Sequence, residues 1–196
     1  FYWTKMRKGQ KGFDLVLDAA HFTDYRVKAQ NYTVLAKFPD TVSFSIVTNE
    51  DKFIMDVEEL IGLRIATMPS PSLGSLRLEE LFPNPMRIPI YTWELNTTIA
   101  VEKVIAGDLD AAIIPTRLAS TYSNLNLVMT TEPVPHMALS ASPDVPADVA
   151  AKIRDALINA QKTEAGKKML SDIKAEKFEA ATSETYDGYS DLLKGV

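Results

Sequence analysis

From Arg64 to Met129 the sequence alternates short apolar runs with segments of helical spacing, and this alternation restricts the possible architectures more than any other feature. Arg64-Ile65-Ala66-Thr67, Ile88 to Trp93, Ala111 to Ile114 and Leu125 to Met129 read as strands; Leu73 to Phe82, Ile99 to Ala106 and Arg117 to Ser123 read as helices. A strand reached from its predecessor through a helix runs in the same direction, because the crossover packs back on one face of the sheet. The expected class is therefore α/β, with mostly parallel sheets flanked by helices.

The flanks supply further elements. Phe1 to Lys11 reads as the last turns of a helix with a glycine stop at Gly9 and Gly12. Phe13 to Leu17, Tyr32 to Phe38 and Val42 to Val47 read as strands, and Asp56 to Leu60 as a short helix stopped by Gly62. After an extended Met137 to Ser142, an amphipathic helix starts near Pro146 with Val149, Ile153, Leu157 and Ala160 at helical spacing, and Thr163 to Ile173 and Ser183 to Leu193 read as two more helices. Two segments suit a crossing between lobes, Val47-Thr48-Asn49-Glu50 and Thr131-Glu132-Pro133-Val134-Pro135. This gives a first lobe of residues 1–47 and 133–196 and a second lobe of residues 48–132, joined by a two-stranded hinge.

Composition narrows the function. A chain of 196 residues with 46% hydrophobic residues can bury the core of one large domain or two small lobes. A net charge of −5 gives no basic footprint for nucleic acid, which binds through counterion release to Lys and Arg. The sequence has no cysteine, which excludes thiolate nucleophiles and Cys-based zinc sites and suits an oxidising compartment. The two histidines, His21 and His136, stand without a nearby second ligand, and no Gly-x-Ser-x-Gly elbow occurs, so neither a metal nor a cofactor is expected. No run approaches the roughly 20 apolar residues of a membrane span. The first residues lack the pattern of a signal peptide, so an export signal is expected outside this sequence.

Several short motifs, in order along the chain, resemble the phosphate/phosphite/phosphonate branch of the type II periplasmic binding proteins, the receptors of ABC importers. Gly12-Phe13-Asp14-Leu15-Val16 resembles that family's strand entry, and Glu59-Leu60-Ile61-Gly62-Leu63-Arg64-Ile65-Ala66 is similar to its Asp-Leu-Lys-Gly-Lys-Arg-Val-Ala. Gly107-Asp108-Leu109-Asp110-Ala111-Ala112 resembles Gly-Glu-Val-Asp-Ala-Ala, and Pro133-Val134-Pro135 with Asp144-Val145-Pro146 resembles the return crossing. The resemblance implies a two-lobed type II periplasmic binding protein fold. It also implies a first β-α-β unit that should precede Phe1, which would leave the first lobe incomplete at its N-terminus.

The foremost site candidate is the hydroxyl-rich turn Pro69-Ser70-Pro71-Ser72-Leu73-Gly74-Ser75, where the free N–H groups of a helix N-terminus form an anion site. The alternative is that Ser72 only caps the helix. The family's turn resembles Asp-Pro-x-Ser-Thr-Ser-Gly; here Met68, Pro71 and Leu73 replace its Asp, first Ser and last Ser, which argues against a phosphonate and leaves phosphate-like or carboxylate ligands open. Asn96-Thr97-Thr98 stands where the family carries a Ser-His pair and reads either as a ligand contact or as an N-cap. Pro115 replaces an acidic residue, with Thr116 as the nearest polar substitute. In the first lobe, Asp18 and His21 follow a strand at the position where the resemblance implies a cleft loop; there Asp18 would meet a cation and His21 an oxyanion, or the two read as a solvated loop carboxylate beside a surface histidine. Phe44, Tyr91 and Trp93 are candidates for apolar walls or for core.

The resemblance implies a monomeric, extracytoplasmic receptor that closes on a small anionic or zwitterionic solute and delivers it to an ABC transporter permease. Two further readings share the architecture: a sensing module of a signalling protein and the effector domain of a LysR-type regulator. An enzyme is not expected.

Overall fold

The computed structural model describes residues 2–9 and 13–196; Phe1, Lys11 and Gly12, which the sequence reading included in the opening helix, its stop and the first strand motif, lie outside them. In chain order the elements are α1 (Tyr2–Arg7), β1 (Leu15–Asp18), α2 (Ala20–Gln30), β2 (Thr33–Lys37), β3 (Thr41–Val42), β4 (Phe44–Asn49), β5 (Arg64–Thr67) and α3 (Leu73–Leu81). They continue with β6 (Ile90–Trp93), α4 (Thr97–Ala106), β7 (Ala111–Pro115), α5 (Thr116–Ala119), β8 (Leu125–Thr130), β9 (Val134–Pro135), β10 (Ala138–Ala141), α6 (Ala147–Ile158), α7 (Glu164–Asp172) and β11 (Glu179–Ala180). The chain divides into two compact units: Phe1–Thr41 with Val134–Gly195, and Val42–Pro133. The first passage falls earlier than the expected Val47–Glu50 segment, because β4 belongs wholly to the second unit, pairing with β7 and β8 along its length.

The first unit holds a four-stranded sheet in the order β1-β10-β2-β11. Its pairs are antiparallel, which corrects the expectation of a mostly parallel sheet in this lobe. The strands β1 and β2 do run in the same direction, as a helix crossover requires, but the returning strand β10 inserts between them and runs against both. One face carries Ala36, packed with Ala160, Leu170 and Phe178 under α6 and α7. The crossover helix α2 is missing from the sequence reading, and its composition explains why. Its buried residues are Ala20, His21, Thr23, Asp24 and Arg26, so its inner face is polar and shows no apolar periodicity.

That polar face is satisfied by pairing. The Arg26 Nε donates to Asp18 Oδ2 at 2.6 Å, the Tyr2 hydroxyl donates to Asp18 Oδ1 at 2.6 Å, and Arg26 Nη2 donates to the Tyr2 oxygen at 2.9 Å. Thr23 Oγ1 closes on the Asp18 carbonyl, and Asp24 accepts from Lys28 Nζ and the Ser190 N–H. Burial of such groups costs several kcal/mol without partners, so this network is what allows the polar face of α2 to pack on β1, while α1 also buries Trp3, against Phe22 and Tyr25, and Met6. The C-terminal segment differs from expectation as well. Ser183 to Leu193 forms two 3-10 turns, Ser183–Tyr186 and Tyr189–Leu193, parted by Gly188 at φ +89°, a conformation that cannot continue a helix.

The second unit holds a five-stranded sheet in the order β6-β5-β7-β4-β8. The strands β5, β6 and β7 are parallel, and β4 runs against both β7 and β8, so four of the five strands point one way. Successive residues face opposite sides, and both sides are covered. Ile46, Ile65 and Ile113 pack under Leu78 and Phe82 of the α3 segment, while Val47, Ala66, Ala112 and Ile114 pack under Ala100, Val101 and Val104 of α4. The helix expected over Arg117–Ser123 shrinks to α5, because the Ser120 and Thr121 hydroxyls bond back to the Arg117 and Leu118 carbonyls and compete with helix continuation.

Candidate ligand-binding site

Parallel strands bring their carboxyl ends to one edge of the sheet, and in open α/β sheets that edge is where ligands sit. In the second unit this edge gathers the turn after β5, the turn after β6 and the start of α5 after β7. Because β4 runs the other way, its first residues, with Ser43 before them, arrive at the same edge. The candidates Ser70, Ser72, Leu73, Gly74, Ser75, Asn96, Thr97, Thr98 and Thr116 all lie there. Asp18 and His21 belong to the other unit.

At the start of α3, Ser72 is the N-cap: its Oγ accepts the Ser75 N–H at 3.2 Å and lies 3.0 Å from the Met68 carbonyl. The Ser75 hydroxyl turns inward and donates to the Ser72 carbonyl at 2.8 Å. Both hydroxyls are thus engaged in the cap. Ser70 stays exposed, and the first-turn N–H groups of Leu73 and Gly74 have no protein acceptor among the described residues. Glycine at position 74 has a packing reason: a Cβ there would meet two carbons of the Phe44 ring at 3.3 and 3.4 Å. Phe44 is therefore packed against the helix start and the α3-side core.

At the start of α4, Asn96 Oδ1 accepts from the Thr98 and Ile99 N–H groups at 2.8 and 3.4 Å, so Asn96 is the N-cap. Thr97 and Thr98 stand in the first turn, Thr98 exposed. Thr116 anchors a hydroxyl cluster that the sequence reading missed: its Oγ1 accepts from Ser43 Oγ at 2.8 Å and Ser45 Oγ at 2.9 Å, and Ser45 Oγ lies 3.1 Å from Thr130 Oγ1. The signal was present as Ser-x-Ser at alternate positions entering β4, with Ser45 opposite Ile114 of β7 and Ser43 bonded to Thr116 just after that strand. Tyr91 packs into the α3-side core, whereas Trp93, two residues on, is half exposed.

In the first unit, Asp18 is 4% exposed and its carboxylate is shared between Tyr2 and Arg26. His21 does not lie on a loop; it sits in the first turn of α2, 1% exposed, with its ring 4.0 Å from that of Phe22. His136 Nδ1 accepts the Met137 N–H, and its carbonyl accepts the Tyr186 hydroxyl. Among the described residues no group of three His, Cys, Asp or Glu side chains is placed to hold a metal ion.

The edge therefore offers neutral donors at two helix starts beside a hydroxyl cluster, an arrangement suited to holding oxygen atoms of a solute. Residues 6–186 match the family described as "ABC transporter, phosphonate, periplasmic substrate-binding protein". The chain belongs to this family. Family membership places the receptor outside the cytoplasm, and no described helix is long and apolar enough to cross a membrane. Solved structures agree on the type II periplasmic binding protein fold. XAC2383 from Xanthomonas citri, bound to ATP, superposes with a TM-score of 0.77 at 14% identity, over 96% of this chain and 78% of that one. PhnD1 from Prochlorococcus marinus in complex with methylphosphonate gives 0.73 at 18% identity, over 96% and 79%. A binding component of an ABC phosphonate transporter from Pseudomonas aeruginosa gives 0.73 at 15%, over 97% and 70%. No curated protein is significantly similar to the chain in sequence. This substrate-binding protein is thus a solute receptor by family.

Proposed function

We propose that this receptor captures a small oxyanion, phosphonate, phosphate-like or carboxylate, or a zwitterion bearing one, and hands it as a monomer to an ABC importer permease. The two compact units are the two lobes of the receptor on this reading. The observation that carries it is the convergence, on one strand edge, of the uncapped first-turn N–H groups of α3 with the α4 start and the Thr116 hydroxyl cluster. Helix N-terminal N–H groups and their dipole favour negative charge without a cationic side chain. The proposed contacts are Ser70, the N–H groups of Leu73 and Gly74, Thr97, Thr98 and Thr116, with Ser72, Ser75 and Asn96 shaping the two turns. Asp18 and His21 serve the packing of α2 rather than the solute. Function rests on binding and on preference for the transport-competent state, with no catalytic step.

The test is a thermal-shift and calorimetric panel of phosphate, phosphite, methylphosphonate, sulfate, short carboxylates, amino acids and a neutral sugar. A solute at 100 times its Kd stabilises the native state by about 2.7 kcal/mol. The expected result is a saturable shift with one oxyanion class, weakened at least tenfold by Thr97→Pro. That substitution removes the first N–H of α4 at a position where proline is tolerated, and Asn96 before it is already extended at φ −124°, ψ 116°. A shift from the sugar alone would overturn the reading.

A further inference from the structure

The carboxyl edge of the second unit is polar only in part. Trp93, Leu95, Ile99 and Met68 are exposed by 52, 81, 42 and 41%, and all four flank the starts of α3 and α4. Thr67 and Trp93 are paired neighbours on β5 and β6, so the indole borders the turn that begins at Met68. Tyr91 and Trp93 share a face of β6, with ring centroids 6.3 Å apart, and Tyr91 packs into the α3-side core. Trp93 therefore stands on the side of the sheet where the first turn of α3 presents its N–H groups. The patch is electrostatically quiet, because Glu94, the acidic residue within it, is tied to Lys103.

A bare inorganic oxyanion has no use for such a surface. Small-molecule sites combine a few fixed polar groups with apolar walls, and an indole supplies a large wall at low conformational cost. We infer that the solute is an organic oxyanion carrying an aromatic or branched apolar group, and that Trp93 is the residue that selects for that group. The inference rests on the receptor reading above and adds the substrate class.

A matched pair of probes tests it on the intact protein: methylphosphonate and phenylphosphonate, measured by titration calorimetry, differ only in the apolar group. The wild-type protein is expected to bind phenylphosphonate at least tenfold more tightly. Trp93→Ala is expected to bring the ratio of the two dissociation constants to within about threefold of one, and Trp93→Phe, which keeps a ring, to preserve most of it. Equal affinities in the wild type, or a ratio that Trp93→Ala leaves intact, would overturn the selection by Trp93 while leaving an oxyanion receptor. Binding of neither probe, with a neutral solute bound instead, would overturn the receptor reading for oxyanions and this inference with it.

Discussion

Asp110 and Arg64, far apart in sequence, hold each other in a reciprocal pair: the Arg64 N–H donates to Asp110 Oδ2 at 2.9 Å, and the Asp110 N–H donates to the Arg64 carbonyl at 3.0 Å. The pair sits at the start of β5 and just before β7, where Ile65 faces Ala111, so it sets the register of the two central parallel strands. Lys52 Nζ completes it at 2.6 Å from Asp110 Oδ1. The second aspartate of the Gly107-to-Ala112 motif is thus a structural clamp at the edge opposite the candidate site.

Asp110→Ala is expected to cost about 2 kcal/mol, since hydrogen bonds to charged groups contribute about 1.5–3 kcal/mol, and Asp110→Asn less, since its carbonyl still accepts from Arg64. Burial raises the Asp110 carboxyl pKa, but the Lys52 hydrogen bond, the Arg64 N–H and both cations outweigh it, and the net shift is below the ordinary 3.8. A lowered folded pKa means the contribution is complete above that ordinary value and is lost as pH falls through the lowered one. Urea midpoints measured against pH should therefore drop more steeply below about pH 4 in the wild type than in Asp110→Asn.

Removing Arg26 leaves the buried Asp18 carboxylate uncompensated, and Arg26→Ala is expected to destabilise by about 3–5 kcal/mol. Replacing both partners by apolar residues, as in Asp18→Leu with Arg26→Met, should cost less than Arg26→Ala alone. Chemical denaturation of the three proteins separates these outcomes. The Tyr2 hydroxyl is pushed up to about 12, first by burial and then by its bond to Asp18. Its contribution is complete below pH 10.0 and is lost as pH rises from there through about 12, a loss that Tyr2→Phe should abolish in alkaline melting curves.

Gly74→Ala presses a methyl group on the Phe44 ring, which must yield by a few tenths of an ångström. The expected cost is about 1 kcal/mol, and Phe44→Leu in the same chain should return part of it. Melting temperatures of the single and double variants provide the comparison.

At Gly166 the conflict is with backbone: a Cβ would overlap the Ala160 carbonyl group. The Gly166 N–H is also the partner of the Thr163 cap that starts α7. Gly166→Ala is expected to destabilise by about 3 kcal/mol, well beyond Gly74→Ala, because a carbonyl in a packed turn cannot rotate away as a ring can. Hydrogen exchange should show the loss concentrated in α7.

The alternating region was legible because its central strands β5 and β7 are buried on both faces and its helices keep one apolar stripe; β5, α3, β6, α4, β7 and β8 each lie within two residues of the expected spans. The polar helix α2 escaped notice because its buried positions are His21, Thr23, Asp24 and Arg26, which apolar periodicity cannot register. The direction of β10 was equally hidden, since an apolar run carries no mark of which neighbour it will lie between. At the site, the turns before α3 and α4 were visible from their Ser, Asn and Gly residues. Whether each hydroxyl would be spent in a cap or left to a solute was not.

The sequence by itself determined the α/β class and the positions of the two helix-start turns, because turn chemistry and burial patterns act within a few residues of chain, and its ordered motifs carried the resemblance to the family. Only the tertiary structure decided that Ser72, Ser75 and Asn96 cap their helices, that Ser43 and Ser45 join Thr116, and that Trp93 remains half exposed. Those outcomes depend on partners brought together across the sheet. Local sequence sets what a side chain can donate or accept, and the strand order sets what lies within reach.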